Sequence, residues 1–143
     1  MREYLTVLAQ IAQTSKVSFR GEVYSSHADV SVPGSQPFSV VVAALGEQML
    51  RVTGALADGT LTWCTGPATL SSHTIPTLNR AADEAGKPTP RVIAALPVCV
   101  TEDRAGALAR ASQVFAIYGQ LPSYRAMLDL EGAAGPADIA LVG

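Results

Sequence analysis

Two short segments rich in small residues are the strongest candidates for ligand chemistry in this chain. Each closes a strand-like apolar run, and they comprise Ala43, Ala44, Leu45 and Gly46 in the first and Trp63, Cys64, Thr65 and Gly66 in the second. Small residues let a ligand approach the backbone closely, and the amides that open a helix attract phosphate. These two turns are therefore candidates for binding a phosphate-bearing ligand.

Both segments also have an ordinary structural interpretation. A glycine between a strand and a helix closes any strand–helix unit, and Glu47 adds negative charge where a phosphate would bind. Trp63 could form one wall of a site for a flat ring, or it could pack beneath a loop. Thr65 could bind the ligand or cap the following helix. The residues alone leave these alternatives open.

Side chains elsewhere offer few further reactive groups. Tyr124 and Arg125 are candidates on the substrate side, because a guanidinium can bind an anion through two parallel hydrogen bonds. The alternative for Arg125 is an ion pair with Asp129, four residues later. His27 and His73 are interpreted as solvent-side residues. We find no paired carboxylates, catalytic triad or metal-ligand spacing, so no metal is predicted and a cofactor would carry any redox reaction.

The two candidate turns lie within a repeating pattern of strands and helices. Apolar runs at residues 40–44, 60–63 and 91–101 predict three buried strands joined by helices. Such strands pair in parallel, with the helices outside. Gly54 lies within the first linking helix, where glycine costs about 1 kcal/mol relative to alanine, so close packing on the sheet is expected. Pro76 is expected to kink the second helix or delay its start.

Further elements flank this pattern. Helical spacing predicts three more helices, at residues 2–14, 101–118 and 121–131. Thr101 is expected to cap the second of them. Alternating apolar residues at 17–24 and 28–32 predict strands, or a short hairpin centred on Gly21. Residues 135–142 begin a final apolar element.

Composition limits the class of protein. The chain has 143 residues, of which 48% are apolar and 15% charged, with a net charge of −2, and these values are typical of one well-packed domain. No cluster of Lys and Arg indicates nucleic-acid binding, and no apolar run is long enough to cross a membrane. The N-terminus lacks the apolar centre of a signal peptide, so we expect a cytoplasmic protein. Cys64 and Cys99 are expected to be reduced thiols, and Cys64 to be inert.

Five stretches carry a resemblance to a known family. They are VSFRGEVY, VVAALGEQMLRVTGALADGTLTW, LPVCVTED, YGQLPSYRAMLDLEG and GPADIALVG, and together they cover most of the chain in order. The sequence resembles the C-terminal half of the luciferase-like monooxygenase superfamily. Within it, the resemblance is closest to the oxidoreductases that use the deazaflavin coenzyme F-420.

The resemblance implies an α/β fold. We expect a partial (β/α)8 TIM-type barrel, its C-terminal half, with a short β-hairpin-like insertion near the N-terminus. Members of the superfamily are about twice this length, so residues 1–143 are expected to form one luciferase-like domain truncated at both ends.

The resemblance also implies a function. It implies an oxidoreductase that transfers hydride with coenzyme F-420, or an FMN-dependent monooxygenase, with the two turns as cofactor-binding segments. The alternatives are an inactive half-barrel fragment and a homodimer that pairs its sheet edges without a cofactor. The expected partners are a small-molecule substrate and further copies of the chain, with no nucleic acid and no membrane.

Overall fold

The computed structural model describes all residues from 1 to 143, and strands alternate with helices over most of the chain. The helices are α1 (Arg2–Thr14), α2 (Glu47–Leu56), α3 (Pro67–Thr69), α4 (Ile75–Glu84), α5 (Arg104–Val114) and α6 (Pro122–Glu131). The strands are β1 (Lys16–Arg20), β2 (Ser25–Asp29), β3 (Val41–Ala43), β4 (Gly59–Trp63), β5 (Arg91–Ala95), β6 (Val98–Cys99) and β7 (Leu141–Val142). Short 3-10 segments cover Ala116–Gly119 and Pro136–Ile139. None of the helices combines the length and apolar character that crossing a membrane requires.

The central sheet is parallel and follows chain order. β4 lies between β3 and β5, with Leu61 opposite Ala43 on one side and Ile93 on the other. Further along the same run, β6 pairs in parallel with β7. The strand expected at 91–101 is therefore divided at Pro97, whose missing N–H cannot continue the ladder. The chain thus contains two parallel sheets, β3–β4–β5 and β6–β7.

Two helices cover one face of this sheet and pack tightly on each other. Leu50 of α2 and Leu78 of α4 are fully buried and form a core cluster with Ala44. Gly54 allows this contact, because a Cβ at that position would overlap the backbone carbonyl oxygen of Leu78. The predicted close approach at Gly54 is therefore present, but its partner is helix α4 rather than the sheet.

The opposite face of the sheet is partly exposed. Val41 and Leu61 are 38% and 39% exposed, although both lie within paired strands. Val98 and Leu141 face each other in the β6–β7 ladder and are 67% and 56% exposed. Val98, Cys99 and Val142 border a pocket that α5 lines on its other side. We call the exposed part of the central sheet at Val41 and Leu61 the open face.

The N-terminal region forms an antiparallel pair of strands beside helix α1. Lys16–Arg20 pairs with Ser25–Asp29, so the second strand begins three residues before the expected 28–32 segment. The carboxylate of Glu3 accepts hydrogen bonds from three backbone amides of the connecting turn, at Glu22, Val23 and Tyr24. These bonds fix the turn and hence the register, and they lower the pKa of Glu3.

Two helix boundaries differ from expectation for local reasons. The helix expected at 101–118 begins only at Arg104, because Asp103 rather than Thr101 caps it by accepting the N–H of Gly106 at 2.9 Å. The start of the second linking helix is not delayed at Pro76, because helical backbone runs from α3 through a π-turn at Leu70–Thr74 into α4. The π-turn ends immediately before Ile75 and Pro76. The proline was expected to perturb the helix, and the perturbation takes the form of this widened turn.

Candidate functional site

The two predicted turns lie next to each other at the carboxyl edge of the sheet. β3 ends at Ala43 and β4 ends at Trp63, and the two strands are parallel neighbours. Gly46 is the N-cap residue of α2 and Gly66 that of α3. All eight residues predicted from the sequence therefore belong to two adjacent strand–helix turns. In parallel sheets this edge is where ligands bind.

The first turn is open to solvent. Gly46 is exposed, and a Cβ built on it meets no atom within 4 Å. No side chain caps the N-terminus of α2, so its first amides keep their capacity to bind an anion. The Glu47 carboxylate, which would oppose an anion there, forms an ion pair with Arg51 at 2.5 Å. Ala44 is buried beneath the turn, whereas Ala43 is exposed.

The second turn is closed. Cys64, Thr65 and Gly66 are all buried. The carboxylate of Glu131 accepts the N–H groups of Ala68 at 3.1 Å and Thr69 at 2.7 Å, and it thereby caps α3. An anion would meet like charge at this helix end, so the two turns differ in their capacity for a phosphate.

Glu131 caps the helix in place of Thr65, whose hydroxyl donates instead to the carbonyl of Trp63 at 3.4 Å. Partial burial by itself raises the pKa of Glu131, but hydrogen bonds from Thr69 and Ala68 outweigh it and lower the pKa overall. Sequence reasoning missed this residue, because Glu131 lies 62 positions from Thr69 and no local pattern joins them.

Replacing Glu131 with glutamine is expected to reduce the free energy of unfolding at pH 7 by about 1–2 kcal/mol, because a neutral amide binds the helix amides less strongly. The pKa of Glu131 is lowered in the folded state, so its contribution is present above the ordinary glutamate pKa and is lost as pH falls through the lowered value. Urea unfolding of the two proteins should therefore converge in acid.

The matched control for this change is Glu84→Gln at the exposed end of α4, where the carboxylate makes no hydrogen bond or ion pair. It should alter stability by less than about 0.5 kcal/mol at every pH. A loss in Glu131→Gln that stays constant down to acidic pH would contradict the capping role of the carboxylate.

Cys64 occupies an unusual backbone conformation at the end of β4. Its φ is 51°, in the left-handed region that non-glycine residues rarely adopt, and the residue is 0% exposed. The side chain packs against Leu128 and Ile139. Burial raises the pKa of the thiol to about 11, so the thiolate is scarce at neutral pH. These features suit a packing residue better than a nucleophile.

Trp63 lies within a cluster of aromatic side chains. Its ring meets Phe115 and Tyr118 edge to face, with centroids 5.6 and 5.9 Å apart. Tyr118 contacts Tyr124 at 4.8 Å. Burial, with smaller contributions from Tyr118 and Cys64, raises the pKa of Tyr124. Of the two interpretations of Trp63, packing beneath the segment between α5 and α6 is the one that these contacts support.

Arg125 is engaged within the chain. Its Nε donates to Asp129 at 2.8 Å, and its two terminal nitrogens donate to the carbonyls of Ala134 and Ala133 at 2.8 and 2.6 Å. The ion pair with Asp129, the alternative to substrate binding, is therefore present. The guanidinium ties the end of α6 to the following loop, and this arrangement does not favour a substrate-side role for Arg125.

His73 is a site residue that sequence reasoning placed wrongly. It was expected to be on the solvent side, yet it is half-buried, and its Nε2 lies 3.1 Å from the carbonyl oxygen of Leu45 in the first turn. The π-turn that contains His73 has an extra residue, which rotates the side chain away from its regular helical position. His27 is exposed in the hairpin, as expected, and contacts Ser18.

A parallel sheet in chain order, with helices on one face and turns at the carboxyl ends of its strands, defines an α/β protein of the kind whose ligands bind at that edge. The chain belongs to the luciferase-like monooxygenase family, whose model matches residues 1–141. Its relatives include the uncharacterized proteins Rv1360 of Mycobacterium tuberculosis and Mb1395 of Mycobacterium bovis. Each is 28% identical over 147 residues, which cover 92% of this chain and 43% of the relative.

Two solved structures share the fold. The coenzyme F-420-dependent tetrahydromethanopterin reductase of Methanopyrus kandleri superimposes with a TM-score of 0.69 at 22% identity, over 92% of this chain and 39% of that one. An F-420-dependent secondary alcohol dehydrogenase, solved with an F-420–acetone adduct, gives a TM-score of 0.70 at 19% identity, over 98% and 46%. The chain therefore spans less than half the length of the proteins that it matches.

Proposed function

We propose that this chain forms part of an F-420-dependent oxidoreductase that transfers hydride to or from a small-molecule substrate. The family relationship supports oxidoreductase or monooxygenase chemistry in general. The open first turn is the observation that carries the proposal of F-420 binding. A phosphate-bearing cofactor needs free backbone amides, and the start of α2 offers them. The two F-420-dependent structural neighbours favour the deazaflavin over FMN, which remains the alternative cofactor.

The residues of the first turn fit the tail of such a cofactor. The first amides of α2, which follow segment Ala43–Gly46, would hold the phosphate, with His73 fixing the Leu45 carbonyl. Trp63 would border the site from the aromatic cluster. The buried residues Cys64, Thr65 and Gly66 would support the carboxyl end of β4 beside the first turn. When bound, F-420 supplies the hydride chemistry, and the residues of this chain bind and orient it.

We further propose that β3, β4, β5 with β6, and β7 are successive strands of a (β/α)8 TIM-type barrel. Sequential strand order and helices on one face favour this architecture, whereas a doubly wound sheet reverses its order and carries helices on both faces. On this proposal residues 1–143 are one domain corresponding to the C-terminal half of the barrel. A cytoplasmic location and the absence of nucleic-acid and membrane partners remain part of the proposal.

Binding of F-420 tests this function directly. The chain is expected to quench the fluorescence of added F-420 in a saturable titration and to bind FMN at least about tenfold more weakly, a difference of about 1.4 kcal/mol. Equal binding of both would overturn the cofactor assignment. If neither binds, the result favours the alternative, a non-catalytic half-barrel.

A further inference from the structure

The backbone N–H groups at the start of α2 have no partner inside the protein. No hydrogen bond is donated by the amides of Gly46, Glu47, Gln48 and Met49. The first bond of the helix runs from the N–H of Leu50 to the carbonyl of Gly46 at 3.0 Å. Free amides bind an anion well only when they point toward it together. The peptide group before Gly46 therefore matters, because its orientation sets the direction of the first of these amides.

His73 holds that peptide group from the far side of the turn. Its Nε2 lies 3.1 Å from the carbonyl oxygen of Leu45, across 28 positions of the chain. A carbonyl oxygen only accepts hydrogen bonds, so Nε2 carries the hydrogen and donates it. The C=O and N–H of a trans peptide point in opposite directions. Fixing the carbonyl of Leu45 toward His73 therefore directs the N–H of Gly46 away from His73.

Without this donor the peptide between Leu45 and Gly46 is free to rotate. Glycine adopts positive and negative φ about equally, and a Cβ built on Gly46 meets no atom within 4 Å, so packing does not hold it in place. Rotation would replace the N–H of Gly46 with the carbonyl oxygen of Leu45 on the side where an anion would bind. The turn would lose one donor and gain a group that repels negative charge.

The segment that carries His73 has an irregular backbone and an unpaired buried group. His73 lies in the π-turn Leu70–Thr74, which is closed by a hydrogen bond from the N–H of Ile75 to the carbonyl of Leu70. Thr74 is fully buried, and its hydroxyl makes no hydrogen bond. π-turns are frequent at functional sites, and buried polar groups without a partner are rare in stable folds. Both features are consistent with a segment shaped to place His73 at the first turn.

We propose that His73 is a positioning residue of the cofactor site. By binding the Leu45 carbonyl, it keeps the N–H of Gly46 at the same end of α2 as the free helix amides, where an N-cap amide accepts a shared ligand. It thereby sets the affinity of the first turn for phosphate. This role rests on the proposed function for the identity of the ligand. The orientation of the peptide requires no ligand and can be measured in the free chain.

Fluorescence titration with F-420 of two His73 variants tests this role. His73→Leu removes the donor and is expected to weaken binding by about tenfold, the usual effect of losing one such hydrogen bond. His73→Gln keeps an N–H that can reach the Leu45 carbonyl, and its binding should stay within about threefold of wild type. The matched control is Ser72→Ala, which removes only a hydrogen bond to Ala68 within the same segment and should leave binding unchanged.

NMR of the chain without cofactor measures the peptide orientation separately. The nuclear Overhauser effect between the Hα of Leu45 and the amide hydrogen of Gly46 reports that orientation. It should be the same in wild type and His73→Gln and should change in His73→Leu. His73→Phe, which keeps a ring but has no donor, replaces His73→Leu if that variant does not fold.

The two measurements distinguish failure of this role from failure of the proposed function. A wild-type chain that does not bind F-420 would contradict the proposed function, and the Overhauser effect would still show whether His73 orients the peptide. An unchanged Overhauser effect in His73→Leu would overturn the positioning role. Equal loss of F-420 binding in His73→Leu and His73→Gln would also overturn it, because the glutamine restores the donor.

Discussion

Replacing Gly54 with alanine is expected to destabilise this protein by about 1–3 kcal/mol, the usual cost of overpacking a core. The same change in an isolated helix stabilises it by about 1 kcal/mol. The direction of the stability change therefore shows whether helix propensity or packing against α4 dominates at this position. The new Cβ would overlap the carbonyl oxygen of Leu78 and approach the Cβ of Ala81 to 2.9 Å. Since these atoms are backbone or directly attached to it, only a separation of α2 from α4 can relieve the contact.

Urea unfolding followed by circular dichroism measures this effect. Gly135→Ala is the control, because Gly135 has an extended backbone with φ of −161° and no atom within 4 Å of a built Cβ. It should change stability by less than about 0.5 kcal/mol. Unchanged or increased stability in Gly54→Ala would mean that the helices can move apart at little cost.

Replacing Gly46 with aspartate is expected to weaken binding of F-420 by at least about tenfold while leaving the fold intact, because it places a carboxylate where we propose the phosphate binds. The backbone of Gly46, with φ of −74° and ψ of 153°, accepts any side chain. Aspartate is a good N-cap residue, so α2 should gain roughly 0.3 kcal/mol. Stability and binding should therefore change in opposite directions.

Gly46→Asn separates charge from shape in this experiment. Asparagine caps a helix about as well as aspartate but carries no charge, so binding should stay within about threefold of wild type while stability rises similarly. Fluorescence titration with F-420 and thermal unfolding supply the two measurements. Equal loss of binding in both variants would point to steric exclusion at the turn rather than to a phosphate subsite.

Local patterns predicted much of the fold. The strands at β3 and β4, the linking helix α2 and the glycine turns that end the strands all follow from apolar runs and turn chemistry within a few residues. The adjacency of the two candidate turns also follows, because consecutive parallel strands end at the same edge. The relationship to the luciferase-like monooxygenase family was predicted from five ordered motifs, because the sequence contains no constellation of reactive side chains.

What the sequence could not predict depends on contacts between distant residues. Glu131 closes the second turn across 62 positions, which leaves the first turn as the open one. His73 reaches Leu45 only because a π-turn alters the helical phase. The third strand is divided at Pro97 because β6 pairs with β7, which lies about 40 residues later in the chain, and a local pattern does not reveal that pairing.

The link from Glu131 to the start of α3 has a consequence for the order in which the protein folds. Closing a chain loop of this length costs about 4 kcal/mol in entropy before the contact yields any stabilisation. The unit of β3, α2, β4, α4 and β5 contains shorter closures and its own core, so it should form first. The segment with α6 then docks last and opens first, and its amides should exchange with solvent hydrogen ahead of the rest.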